Sequence, residues 1–351
     1  MKKLFILPAL LSFILFLSQC YYLTQGSVML NYYSNTVDFE TVLSDENTDD
    51  ETEELLLHVI DIKKFAVDEL GLNEGKNYTR YKEIERDYLV TLISACKSDS
   101  FEPYIWNFFP MGEFPYKGYF IERHANYQVN RLKMEGYDDI YVRKVTAFST
   151  LGILEDPVFS FFAKFSIFRL ANLIIHEQTH TTIFIQNEIN FNENLADFIG
   201  YQGALQYIGK LYGTDSDEHN LITAYIQDKE VYREYLNKLY LELDELYSSD
   251  LDLEDKLEKK EEIIAQYKNQ YENEYENMFR TNSFHGFTDM EVNNAYIMQY
   301  RTYTDNQDIF IKLFDSFDNI LFNMINFLKQ LNDIRNIEPY EFIENYLNEN
   351  N

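Results

Sequence analysis

The chain has 351 residues, a formal net charge of −29 and an aromatic content of 17%. Its hydrophobic content of 46% excludes an intrinsically disordered chain. The negative charge argues against nucleic acid as a partner, because phosphate binding needs clustered lysine and arginine. The two cysteines, Cys20 and Cys96, are too few for a disulfide framework or a thiolate zinc cluster, so a metal would have to be held by histidine and carboxylate.

The first 20 residues have the features of an export signal. Two lysines precede the uncharged apolar run Leu4–Leu17, which is too short for a membrane-spanning helix of about 20 apolar residues. The run ends in LSQC at 17–20, which resembles a bacterial lipoprotein cleavage site, with Gln19 in place of the usual small residue. We therefore predict a signal peptide at 1–19 and a protein exported to the bacterial cell envelope and anchored in the membrane by a lipid on Cys20. The alternative is an ordinary signal peptide with a coincidental cysteine.

The next part of the chain predicts two helices followed by a small sheet. Helical spacing of apolar residues predicts one helix over 53–71, ended by Gly71, and another over Tyr81–Lys97. Proline and glycine then concentrate in 101–160, between short β-prone runs. The elements predicted there are strands at Lys117–Phe120, Ile140–Val145 and Thr146–Leu151 and a helix at His124–Glu135.

Two helices are predicted in the middle of the chain. Residues 166–184 form an apolar run without proline or glycine, which predicts a buried helix capped by Ser166. After a turn at 187–190, a second helix is predicted from about Asn190–Asn192 to Tyr212. The remaining chain is charged and helical in character, with predicted helices over Leu253–Met278, which is expected to be solvent-exposed, and over 290–305 and 308–348.

The stretch Leu173–His180, LIIHEQTH, carries two histidines four residues apart in a predicted helix. Positions i and i+4 share one helix face, so His176 and His180 would point the same way and could hold a metal. The carboxylate of Glu177 would lie near the open side of the metal, where it could take a proton from water. This HExxH pattern predicts a zinc site, provided that a third ligand is present.

The third ligand is predicted downstream of the motif. In known HExxH zinc sites the third ligand is either a histidine shortly after the motif or a glutamate about eighteen residues further on. This sequence has neither residue at the required spacing. Glu193 is the best candidate, and Asp197 would share its helix face and orient a ligating histidine. Two alternatives stay open: Glu193 could belong to a capping box with Asn190, and Glu188 could be the ligand instead.

With these residues in view, the chain resembles a family of bacterial predicted zinc aminopeptidases, many of which are predicted lipoproteins. The resemblance covers most of 18–212 and is weaker beyond. It rests on motifs in the same order, namely Cys20-Tyr21-Tyr22, FAVDELGL at 65–72, PYKGYF at 115–120, FSTLGILEDP at 148–157, the helix at 171–180, FNENLADFIG at 191–200, and Asn293-Asn294-Ala295 with Tyr303 after it. Cys96 and the positions around Trp106–Gly112 match the family pattern only loosely.

The resemblance implies a zinc peptidase site with His176, His180 and Glu193 as ligands and Glu177 as the base. We predict a mainly helical α+β fold with a zincin-like core and a small sheet before the active-site helix. The catalytic domain is assigned to 20–212, and a helical region at 213–351 would complete or cover the site.

The predicted activity is zinc-dependent hydrolysis of peptides, by an aminopeptidase at the cell envelope. Tyr303 is the predicted donor to the tetrahedral oxyanion, with Tyr300 in reserve, although packing alone could explain either residue. Glu155 and Asp156 could each bind the α-amine of the substrate, and nothing in the sequence separates them. The run AFSTLG at 147–152 is either an edge strand that pairs with an extended peptide or an ordinary strand. The rival functions are a zinc endopeptidase and a non-enzymatic surface lipoprotein with a residual metal site.

Overall fold

The computed structural model describes residues 21–108, 112–146, 155–302, 307–333 and 338–350, and these residues form a mainly helical α+β structure, as predicted. The strands are β1 (Val37–Asp38), β2 (Arg80–Lys82), β3 (Val90–Cys96), β4 (Trp106–Phe108), β5 (Gly112–Phe114), β6 (Tyr116–Tyr119), β7 (Asp139–Val145) and β8 (Val158–Phe159). The helices are α1 (21–33), α2 (Phe39–Leu43), α3 (Asp50–Asp68), α4 (Glu122–Met134), α5 (Ile167–Thr182), α6 (Ile189–Tyr212), α7 (Asp217–Tyr247), α8 (Leu253–Met278), α9 (Asn294–Thr302), α10 (Gln307–Ser316), α11 (Leu321–Leu328) and α12 (Pro339–Asn350). Among the described residues, no helix is long and apolar enough to cross a membrane.

The strands of the described chain form two three-stranded sheets and a short hairpin of β4 and β5. β3 is the central strand of one sheet and runs antiparallel to both β6 and β7, with Leu92 opposite Gly118 on one side and Arg143 on the other. In the second sheet β2 lies between β1 and β8. A 3₁₀ turn at Ser160–Lys164 connects β8 to α5, so this second sheet fixes where the helix of the HExxH motif begins.

The predicted helix over Tyr81–Lys97 is wrong, because this segment forms β2, a connecting loop and β3. All residues of β3 except Ser94 are buried, so the strand lacks the polar and apolar alternation of a half-exposed strand. An apolar run buried on both faces cannot be told from a buried helix by periodicity. The β-branched residues Val90, Thr91 and Ile93 favour the extended conformation that the structure shows.

The other predicted elements of the first half agree with the structure in type. α3 begins at Asp50, earlier than predicted, because the Asp49 side chain caps it by accepting the backbone N–H of Thr52 at 2.8 Å. Gly71 follows α3 with a φ of +73°, and β6, α4 and β7 lie within two residues of their predicted bounds. The predicted strand Thr146–Leu151 lies, after its first residue, outside the described residues.

The main hydrophobic core joins the two central helices to the C-terminal helices. It contains buried side chains of α3, α5 and α6 together with side chains of α10, α11 and α12. The ring of Phe191 on α6, for example, lies 5.7 Å from that of Phe310 and 5.1 Å from that of Tyr340. The C-terminal helices therefore pack directly against α6, the helix that was expected to carry the third ligand.

A second, tyrosine-rich core lies between α7, α8 and α9. The helix predicted over Leu253–Met278 is present as α8, but Ile264, Tyr271 and Tyr275 on one of its faces are buried, so it is only partly solvent-exposed. α8 also contributes Lys260, whose ammonium group lies 2.5 Å from the carboxylate of Asp139 on β7, with both side chains buried.

One asparagine ties this second core to the end of β3. The Asn294 side chain donates hydrogen bonds to the carbonyl oxygens of Lys97, Ser98 and Ser100, and its own carbonyl accepts the Tyr247 hydroxyl at 2.8 Å. Its backbone N–H donates to Asp139 at 2.7 Å. A residue at the start of α9 thus fixes the loop that follows β3.

Candidate metal centre

The two histidines of the HExxH motif lie on one side of α5. The predicted cap is confirmed, because the Ser166 hydroxyl accepts the backbone N–H of Arg169 at 3.2 Å. The opposite side of α5 is buried in the main core through side chains such as Ile174 and Ile175, which fixes the rotation of the helix. As a result the Nε2 atoms of His176 and His180 lie 3.2 Å apart, and the two rings are inclined at 83°.

Glu193 is the third member of the cluster, and α6 supplies it. Its two carboxylate oxygens lie 3.7 Å from Nε2 of His176 and 3.5 Å from Nε2 of His180. Ligands arranged tetrahedrally at about 2.0–2.1 Å from a zinc ion lie about 3.3–3.4 Å from one another. The three side chains therefore have both the donor atoms and the mutual spacing of a zinc site, and these atoms all lie within 4.8 Å of one another.

Asp197 lies one helical turn after Glu193 and contacts His176 on the side of its ring that faces away from the cluster. Its Oδ1 atom is 3.1 Å from Nδ1 of His176, so Nδ1 carries the proton and Nε2 faces the cluster. Burial opposes the charged form of His176, but its hydrogen bonds to Asp197 and Glu193 outweigh this effect and raise its pKa well above the ordinary value. Burial and the neighbouring His176 lower the pKa of His180 to about 4.

These shifts show what charge the cluster favours. Burial raises the pKa values of Glu193 and Asp197, but hydrogen bonds to His176 more than compensate, so both pKa values end below the ordinary range. Two carboxylates thus stay ionised beside two imidazoles, of which one prefers to be neutral. The cluster stabilises positive charge at its centre, as a cation site requires.

Close approach of α5 and α6 brings these residues together. Gly200 lies seven residues after Glu193, on the same side of α6. A Cβ atom there would lie 2.6 Å from Oδ1 of Asn172, 3.2 Å from the backbone oxygen of that residue and 3.3 Å from Cβ of His176. A side chain at this position would therefore separate the two helices beside His176.

The turn between the helices excludes the capping alternative for Glu193. α6 begins at Ile189, with Glu188 as its N-cap residue and no side-chain capping bond, so Asn190 already lies inside the helix. Asn192 instead fixes the turn, since its side chain accepts the backbone N–H of Ile185 at 2.9 Å and donates to the Ile185 carbonyl at 2.8 Å. A capping box with Asn190 is wrong, and the Glu193 carboxylate points to the histidines.

Glu177 is buried next to His176 and lines a small cavity. Tyr33, Tyr78 and Asp156 line that cavity with it. Burial raises the pKa of Glu177 to about 7, with further contributions from the charges of Asp156 and Glu193 and an opposing one from His176. A carboxyl group with this pKa can accept and return a proton near neutral pH.

Of the remaining predicted site residues, the structure describes Glu188 and Tyr300. Glu188 is not a member of the cluster found among the described residues. Tyr300 lies on α9, where its ring packs 5.4 Å from that of Tyr232 and 5.1 Å from that of Tyr296. Tyr303, Cys20 and the run 147–152 lie outside the described residues.

Sequence reasoning did not single out the pairing of Asp156 with Tyr33. The Tyr33 hydroxyl donates to Oδ1 of Asp156 at 2.7 Å across a separation of 123 residues. No local spacing signals such a pair. Only the tertiary structure distinguishes Asp156 from its neighbour Glu155, whose carboxylate is exposed and lies 3.6 Å from the ammonium group of Lys76.

The comparison with protein families agrees with this site. Residues 20–341, more than nine-tenths of the chain, match the model of the family described as "Putative aminopeptidase". The chain belongs to this aminopeptidase family. The family suggests peptide hydrolysis, and the match includes every described residue of the cluster and of the neighbouring cavity. No curated protein and no solved structure matches the chain significantly.

Proposed function

We propose that the protein is a zinc-dependent aminopeptidase with a zincin-like active site. The observation that carries this proposal is the convergence of His176, His180 and Glu193 at zinc-ligand spacing in a chain of the aminopeptidase family. Glu177 follows His176 in the chain and is close enough for the charges of His176 and Glu193 to shift its pKa. The side chains of the three ligands are 15–36% exposed, so one side of the cluster is open to a substrate, as a catalytic zinc site requires.

The proposed mechanism assigns one step to each group. Zinc held by the three side chains would supply a Lewis acid that activates water and polarises the scissile carbonyl. Glu177 takes the proton of the attacking water and returns it to the amine that leaves. Asp197 keeps His176 in the tautomer whose Nε2 faces the cluster. We assign the second oxyanion donor to Tyr303, with Tyr300 in reserve.

We further propose that the enzyme acts on peptides at the bacterial cell envelope, anchored by a lipid on Cys20. The basic start, the apolar run and the LSQC sequence at 17–20 support this location, and the family match begins at residue 20. The net charge of −29 supports peptides rather than nucleic acid as partners.

Metal content is the first test of the proposed function. We expect about one zinc per chain in the purified wild-type protein. Glu193→Ala should lose the ion or bind it at least about tenfold more weakly. The matched control is Glu188→Ala, which removes a carboxylate at the start of the same helix that makes no capping bond. No zinc in the reconstituted wild-type protein would overturn the proposal, and full zinc in Glu193→Ala would place the third ligand elsewhere.

Activity is the second test. Glu177→Gln keeps the side-chain shape and should retain zinc while kcat falls by about 10²–10⁴-fold. If this variant hydrolyses peptides as the wild type does, Glu177 is not the base. If neither protein hydrolyses any of a panel of peptides, the result favours the rival function, a non-enzymatic surface lipoprotein with a residual metal site.

A further inference from the structure

The cavity beside Glu177 contains a second carboxylate, that of the partly buried Asp156. The backbone of Asp156 is fixed on both sides, since its N–H donates to the Asn77 side chain at 3.1 Å and its carbonyl accepts the N–H of Tyr78 at 2.6 Å. The Tyr33 hydroxyl donates to Oδ1 at 2.7 Å and orients the carboxylate. Asp156 is therefore held rigidly, as a ligand-binding group must be.

No cation faces this carboxylate among the described residues that line the cavity. The described walls include four aromatic side chains, Tyr33, Tyr78, Phe159 and Phe162. Burial raises the pKa of Asp156 to about 6, and the hydrogen bond from Tyr33 offsets this only in part. At neutral pH the protein thus keeps an ionised, partly buried carboxylate with a hydrogen-bond donor but no countercharge from the described lining, which is unfavourable unless a ligand brings one.

We propose that Asp156 binds the α-ammonium group of the substrate and so makes the enzyme an exopeptidase. This inference rests on the proposed function and names the group that sets the substrate class. In an N-terminal residue the ammonium nitrogen and the scissile carbonyl carbon are both bonded to the same Cα, so their binding groups must be neighbours. Asp156 and the proposed base Glu177 meet this condition, because both line one small cavity, whose free volume of about 10 Å³ is that of a single water-sized group such as an ammonium.

The surroundings of Asp156 fit a primary ammonium group better than a metal ion. Asp156 and Glu177 are the only ionisable carboxylates among the described lining residues, and the rest are phenols, a threonine and apolar side chains. An ammonium group needs a carboxylate and tolerates aromatic faces around it through cation–π attraction. A blocked or internal peptide has no positive charge at this position and would leave the carboxylate unpaired.

The experiment compares Asp156→Asn with the control Glu155→Gln in the full-length protein. The substrates are leucine p-nitroanilide and its N-acetyl derivative. We expect Asp156→Asn to lower kcat/KM for the free amine by at least tenfold, mainly through KM, and to leave the acetylated compound unchanged. Glu155 is exposed and paired with Lys76, so Glu155→Gln should stay within twofold of the wild type.

A binding measurement provides a readout that does not need turnover. Isopentylamine carries the ammonium group without a hydrolysable bond, and isopentanol is its neutral counterpart. By calorimetry, the Kd of the amine should rise at least tenfold in Asp156→Asn, whereas weak binding of the alcohol should not change. Tyr33→Phe removes only the orienting hydroxyl and should give a smaller loss of amine binding, which keeps the test valid if Asp156→Asn does not fold.

The outcomes separate the two proposals. If the wild type hydrolyses free and acetylated substrates equally and Asp156→Asn changes neither activity nor amine binding, the inference is overturned while peptide hydrolysis stands. If the wild type binds no zinc and hydrolyses neither compound, the proposed function fails. Amine binding that depends on Asp156 would then still support an ammonium site at this carboxylate.

Discussion

Gly200→Ala tests whether the close approach of α5 and α6 assembles the metal centre. The new Cβ would lie 2.6 Å from Oδ1 of Asn172, a contact that rotation of the amide can relieve. The contacts of 3.2 Å to the Asn172 backbone oxygen and 3.3 Å to Cβ of His176 cannot be relieved in this way, so the helices must move apart by a few tenths of an ångström. Overpacking of this kind destabilises by about 1–3 kcal/mol.

Two effects therefore oppose each other at Gly200. Replacing glycine by alanine within a helix stabilises it by about 1 kcal/mol, so the net loss in free energy of unfolding should be about 0–2 kcal/mol. The effect on metal binding should be larger, because metal–ligand distances tolerate only about 0.2 Å and the moving helices carry His176 and Glu193. We expect zinc affinity to fall at least about tenfold, a loss typical of disturbed ligand support.

The assays are urea denaturation of the metal-free protein and zinc competition with a chromophoric chelator. Gly26→Ala is the matched control, because Gly26 lies in α1 and a Cβ there would meet nothing within 4 Å. This control should gain up to about 1 kcal/mol and bind zinc like the wild type. If Gly200→Ala is stabilised as much as Gly26→Ala and keeps its zinc affinity, the close approach does not position the ligands.

Three further predictions concern buried or partly buried carboxylates. Asp197→Asn should lower zinc affinity by about 10–100-fold in the same chelator competition, because the negative charge next to Nδ1 of His176 is lost. Unchanged affinity would show that Asp197 does not orient His176 for metal binding. The folded-state pKa of Asp156 is raised from 3.8 to about 6, so the folded protein loses up to about 3 kcal/mol of stability as pH rises through this range. Asp156→Asn should therefore raise the free energy of unfolding in urea at pH 8 but not at pH 4, and an equal effect at both pH values would contradict this. Asp139→Asn leaves the buried ammonium group of Lys260 without its partner and should lower the free energy of unfolding by about 3–5 kcal/mol. Adding Lys260→Met to the same chain should restore most of this loss. A loss below about 1 kcal/mol would mean that water reaches the pair.

Local signals in the sequence were sufficient for the helices that carry the cluster. Ser166, the apolar run behind it and Gly213 marked α5 and the end of α6, because caps and helical periodicity depend on nearby residues. The position of Glu193 near the start of the second helix also followed from spacing. The choice between ligand and capping residue did not, since it depended on where α6 begins, and the side chain of Asn192 decides that through the turn at Ile185.

Features that depend on distant residues could not be predicted. Periodicity does not distinguish β3 from a helix, because the strands that pair with it, β6 and β7, and the helices that pack against it, α4 and α9, lie elsewhere in the chain. Asp156 could not be separated from Glu155 because the hydroxyl that orients it comes from Tyr33, 123 residues away. In both cases the deciding contact lies far away in the chain.

The hydrogen bonds of Asn294 have a consequence for the order of folding. They join a residue at the start of α9 to the loop after β3 across a separation of 197 residues. Contacts of such high sequence separation are slow to form, because the loop they close loses much conformational entropy. During synthesis, three carbonyl groups of that loop and the carboxylate of Asp139 lack the hydrogen bonds from Asn294 until that residue has been made. Ribosome-bound chains that end before about residue 290 should therefore expose β3 and its loop to limited proteolysis, and chains that include α9 should protect them.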